Sequence, residues 1–84
     1  MYGYNNDYNM GMPSESEMRS FERKYPRGTR IKLYEMINEP QMPYGLEGTV
    51  VCVDAIGQLV MEWDNGSCLS LDIRNDRFVK VNKE

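Results

Sequence analysis

Side chains able to do covalent or acid–base chemistry are few in this sequence, and their spacing does not combine them. There is no histidine, so no side chain has an ordinary pKa suited to a general base near neutral pH. The serines and the two cysteines, Cys52 and Cys68, sit in no nucleophile elbow and beside no base. Two cysteines alone fall short of a four-ligand zinc site unless carboxylates or a second chain contribute. Glu62 and Asp64 fall on a strand and on the turn that follows it, the pattern of a solvated face and a turn-forming Asp. The glycines at 45, 48, 57 and 66 are scattered as turn residues and form no phosphate loop. Nothing here calls for an enzyme, a metal or a cofactor, which leaves binding.

Two sets of side chains could bind. The first is apolar and aromatic: Tyr2, Tyr4 and Tyr8 in the opening MYGYNNDYNMGMP, and Met42 and Tyr44 in NEPQMPYG. Tyr and Met give a large contact area per residue ordered, which suits a protein partner. The second is cationic: Arg27, Arg30, Lys32, Arg74 and Arg77 could contact phosphates while Tyr34 or Tyr44 stacks a base. Ten Lys and Arg stand against thirteen Asp and Glu, a net charge of −3, so general attraction for nucleic acid or an acidic membrane is absent. Protein binding ranks ahead of nucleic-acid binding on that balance. A third reading is a structural subunit that self-associates through Met18 and Phe21.

These residues are positioned by a short β-rich unit organised around Gly48 to Gly66. Leu59, Met61 and Trp63 alternate with Val60 and Glu62, which puts one set on a core face. Asp64-Asn65-Gly66-Ser67 then places Asn-Gly where a two-residue type I′ turn needs two positive φ angles, with Cys68 to Leu71 as the returning strand. Gly48 to Val53 is β-branched and apolar on both faces, as expected of a central strand, and a bulge would suit it. Upstream, Thr29 to Tyr34 reads as a first strand with Ile31 and Leu33 inward. Phe78 to Val81 reads as a last strand that closes on the first, with Phe78 in the core. Between the first two strands, Glu35 to Gly45 has no period and holds Pro40, Pro43 and Gly45. It reads equally as a lid over the open end of the core and as one wall of a binding groove.

Ahead of these strands, Ser14-Glu15-Ser16-Glu17 fits a capping box that opens a short helix ended by Pro26. Met18, Phe21 and Tyr25 form a narrow apolar stripe that must pack on the strands or on another chain. The organisation expected is an arm over 1–13, flexible or ordered against a partner, a capped helix over 14–25, and a small β-barrel over 26–84. Such a folding unit, roughly 55 residues, is near the lower limit for one hydrophobic core. No signal peptide and no apolar run of about 18 residues is present, so a cytoplasmic protein with no membrane partner is the simplest expectation. Both thiols are then expected to be reduced and partly buried, the alternative being a disulfide between neighbouring strands.

The succession Tyr25-Pro26-Arg27-Gly28-Thr29-Arg30, Gly45 to Val53, Gly57-Gln58-Leu59, Trp63 to Ser67 and Asp76-Arg77-Phe78 resembles the bacterial family of domain of unknown function 4314. These are short proteins of mobile elements and phages. The resemblance covers about Tyr25 to Val81 and stops short of the helix. It implies an SH3-like five-stranded barrel, and its shared residues are turn and core residues, so it carries no activity or site.

Overall fold

The computed structural model describes residues 12–81. Helix α1, Glu15–Lys24, begins at Ser14, whose backbone N–H donates to Glu17 Oε1 at 2.9 Å while its Oγ accepts from the Glu17 N–H at 3.2 Å. This reciprocal box satisfies N–H groups that the first turn leaves without helical partners. The helix ends at Tyr25, ahead of Pro26. No residue of α1 itself is buried, and the helix is held at both ends: Pro13 and Met18 abut Gly57, and Tyr25 enters the core. At that second end the Lys80 ammonium donates to the carbonyl of Lys24 at 2.8 Å. Two residues of the stripe, Met18 and Tyr25, therefore pack on this chain's own β2–β3 turn and core.

Five strands follow: β1 Arg30–Glu35, β2 Glu47–Val53, β3 Gln58–Trp63, β4 Leu71–Asp72 and β5 Arg77–Lys80. They form one antiparallel sheet in the order β4-β3-β2-β1-β5, with β2 central as its double-sided apolar sequence requires. The two edge strands share no ladder among the described residues, but only residues 73–76 separate them in sequence. A link that short forces the sheet to curl until its edges approach. Ile31, Leu33, Val50, Leu59, Met61, Trp63 and Leu71 fill the hollow of the curl, and Phe78 is half-buried beside them against Tyr25.

Three expectations are corrected. The Asn-Gly bend is not type I′: Asn65 has no positive φ, and only Gly66 does, at 91°. The Gly66 N–H bonds to the Trp63 carbonyl and the Trp63 N–H to the Ser67 carbonyl, both at 2.9 Å, which makes a type I turn running into a glycine bulge. This shape leaves the Asp64 N–H on the Glu47 carbonyl at 2.9 Å and lets Asn65 Oδ1 accept from the Ser67 N–H at 3.0 Å. The returning strand is shorter than expected, because Ser67 to Ser70 leave the ladder and the Leu69 carbonyl accepts from Trp63 Nε1 at 2.9 Å. Both cysteines are free and exposed. Cys68 lies in the segment off the ladder. Cys52 follows a bulge at Val51, where β2 pairs Val50 with Met61 and then Cys52 with Val60, so the extra residue turns Cys52 to the outer face.

Candidate functional site

An equivalent slip at the end of β1 builds the most distinctive surface. Leu33 pairs with Phe78 and Glu35 with Arg77, so two residues of β1 oppose one of β5 at Tyr34. Inward positions then run Ile31, Leu33, Met36, and Met36 is buried in the core although it lies past the strand. From this anchor the chain makes successive turns, Glu39 N–H to the Met36 carbonyl and Met42 N–H to the Glu39 carbonyl, each 3.0 Å. It rejoins the sheet through Gly45 N–H to the Leu33 carbonyl at 2.6 Å and Leu33 N–H to the Leu46 carbonyl at 2.8 Å. Gly45 sits at φ 85°, a conformation that glycine adopts at little cost. Across the molecule, Asp76 Oδ1 accepts from the Ile37 N–H at 2.9 Å while its Oδ2 accepts from the Asp72 N–H at 2.8 Å. One carboxylate thus ties the 36–46 loop to the β4–β5 turn.

The loop is both a lid and a wall. Its inner side, Met36 with half-buried Met42, closes the core. Its outer side encloses a hollow of about 290 Å³ lined by Tyr34, Ile37, Pro40, Met42 and Tyr44, with Glu35 at its side. Tyr34 and Tyr44 stack with ring centroids 5.4 Å apart and planes inclined by 21°. Tyr44 is 77% exposed and Ile37 49%, so the loop presents large apolar side chains on a backbone held by hydrogen bonds.

Of the apolar binding residues read from the sequence, Met42 and Tyr44 meet in this hollow, and Tyr34 joins them. Tyr2, Tyr4 and Tyr8 lie outside the described residues. Met36, Ile37 and Asp76 had not been singled out. Continuing the inward alternation past a bulge would have found Met36, whereas no local pattern marks Asp76 as the tie.

The cationic set does not converge. Arg27 stands in the turn before β1, whereas Arg77 is paired with Glu35 at the far end of that strand and Arg74 is in the β4–β5 turn. Strand rise over the six residues of β1 puts its two ends roughly 17 Å apart. Lys32 lies between them, with its Cε beside Gly45. Arg30 is committed: its guanidinium grips Asp64 through two bonds of 2.6 and 2.9 Å and reaches Glu47 at 3.2 Å and Thr49 Oγ1 at 2.9 Å. Hydrogen bonding to Asp64 raises the Arg30 pKa further above its ordinary value, and the same bonds hold the Asp64 carboxyl below the usual carboxylate range. Glu62 and Asp64 are both exposed, and Asp64 works as an ion-pair partner. Among the described residues no group of three or more acidic or cysteine side chains is placed to hold a metal ion, and no helix is long and apolar enough to cross a membrane.

These features define a small antiparallel β domain with a preformed aromatic hollow beside its first strand. A family model described as a domain of unknown function (DUF4314) matches residues 14–81, and the chain belongs to that family. Neither a curated protein nor a solved structure matches it. The family match corrects the narrower span inferred from the sequence: it starts at the N-cap, Ser14, so α1 belongs to the shared domain. The contacts of Pro13 and Met18 with Gly57 and of Tyr25 with Phe78 give the physical reason.

Proposed function

We infer that this chain is a non-enzymatic, protein-binding module whose contact surface is the hollow between Tyr34 and the 36–46 loop. The observation that carries this reading is the exposure of Tyr44 and Ile37 on a loop held by Leu33, Gly45 and Asp76, beside Tyr34 exposed at the β1 bulge. Aromatic and apolar anchors on a backbone already ordered lose little entropy on association. The engagement of Arg30 by Asp64 and Glu47 favours a protein over a nucleic acid, since a phosphate would have to displace two carboxylates. The use of Met18 against Gly57 argues against self-association through the helix stripe.

The fold proposed is an SH3-like five-stranded barrel preceded by a short helix, supported by the strand order and by the short link between the edge strands. Two exposed, unbridged thiols suit the reducing cytoplasm of a bacterium. A role as an accessory protein of a mobile element or phage rests on the family resemblance alone.

Affinity capture from the source cell tests the reading, with the full chain and its Ile37→Ser/Tyr44→Ser variant as baits. A protein held by the first bait and lost by the second supports it. A protein held equally by both places the interface elsewhere. Retention of RNA or single-stranded DNA that falls steeply with salt transfers the function to the cationic reading.

A further inference from the structure

A second hollow, of about 250 Å³, adjoins the aromatic one at Met36. Its wall includes Glu39, Gln58, Asp72 and Asp76. The first is lined mainly by apolar side chains and the second mainly by polar ones, with Met36 common to both. Every charged side chain lining them is a carboxylate: Glu35 in the first, Glu39, Asp72 and Asp76 in the second.

None of these four takes part in an ion pair among the described residues. Asp72 and Asp76 accept from backbone N–H groups and from the Asn75 amide, and Glu39 accepts from the Gln41 amide at 2.8 Å. Such neutral donors stabilise a carboxylate without cancelling its charge. Arg77 is the cross-strand neighbour of Glu35, but no ion pair joins them. Residues 1–11 contain one charged side chain, Asp7, and no Lys or Arg, so that segment does not complement an acidic cleft.

Resting on the protein-binding reading, we propose that the partner enters as an extended segment with apolar anchors for the Tyr34–Tyr44 end and Lys or Arg for the Glu39–Asp76 end. About 290 Å³ accepts two or three side chains of such a segment. Basic side chains aligned with the carboxylates set the direction of the segment and exclude acidic competitors.

The test is a titration of the isotope-labelled full chain, followed by NMR, with three acetylated and amidated heptapeptides. These are Leu-Gly-Leu-Gly-Arg-Gly-Arg and its versions with both Arg replaced by Gln or by Glu. The expected result is shifts at Tyr34, Ile37 and Tyr44 with all three. The Arg peptide binds roughly three- to tenfold tighter than the Gln peptide and the Glu peptide is weakest, as partly exposed ion pairs allow. Glu35→Gln/Glu39→Gln, which leaves every backbone bond of the loop in place, narrows the gap between the Arg and Gln peptides, Asp72 and Asp76 keeping the remainder. Equal affinity of all three overturns the basic-partner proposal and leaves the hollow as the binding surface. Absence of shifts there at millimolar peptide overturns the proposal and the protein-binding reading together.

Discussion

Gly48→Ala tests the packing at the centre of the sheet. Gly48 lies in β2 opposite Trp63, and a Cβ added there would come 2.6 Å from Trp63 Cε3, 3.0 Å from its Cδ2 and 3.0 Å from the Glu62 carbonyl oxygen. The ring cannot swing aside freely, because Trp63 is 3% exposed and its Nε1 is bonded to the Leu69 carbonyl. Overpacking of this kind costs about 1–3 kcal/mol, and breaking the indole bond adds about 1. The sum, about 2–4 kcal/mol, is a large part of the roughly 4–10 kcal/mol expected for a domain of about 70 residues. Urea unfolding monitored by emission of Trp63, the only tryptophan, reads both effects at once. Gly28→Ala is the control: Gly28 is at φ 92° with nothing within 4 Å of an added Cβ, so its cost is conformational, about 1–2 kcal/mol, with emission unchanged. The double variant Gly48→Ala/Trp63→Phe, followed by circular dichroism, should lose less than the two single changes summed. A loss below about 0.5 kcal/mol for Gly48→Ala, with native emission, would refute the close approach.

Other consequences follow from particular contacts. Because the folded-state pKa of Asp64 is depressed, its pairing with Arg30 contributes stability that is present above the unfolded value of about 3.9 and is lost as pH falls through the lower folded value. Urea midpoints of the parent should therefore fall more than those of Arg30→Gln on acidification below about pH 4, and the two should run parallel between pH 5 and 7. Asp76→Ala removes the acceptor for the Ile37 and Asp72 N–H groups and should cost about 1–3 kcal/mol, with faster amide exchange at Ile37. Ser14→Ala should weaken α1 by about 1 kcal/mol and speed exchange at Met18 and Tyr25 roughly fivefold, while amides of β2 and β3 keep their protection.

What could be read from the sequence was whatever obeys an uninterrupted period. The alternation of Ile31 with Leu33 and of Leu59, Met61 and Trp63 located most of the core, and Ser14 with Glu17 located the start of the helix. Each failure falls at an inserted residue or at a long-range bond. Bulges at Tyr34, Val51 and Gly66 shift the side-chain parity by one, which turned Met36 inward and Cys52 outward and displaced the expected type I′ bend. The aromatic site was legible only in part: Met42 and Tyr44 stood out by type, but their meeting with Tyr34 depends on the bulge that ends β1. Asp76 and the Arg30–Asp64 pair act across 39 and 34 positions of sequence, where no local pattern reports them.

If this hollow contacts another protein, as proposed, a reactive side chain placed in it will be joined to that protein. A photo-crosslinking phenylalanine analogue placed at Tyr44, and separately at Glu62 on the outer face of β3, reads that contact inside the source cell. The expected result is a protein adduct from position 44 that disappears when Ile37→Ser is added, and no such adduct from position 62. Adducts from position 62 alone, or from position 44 to nucleic acid alone, would contradict it.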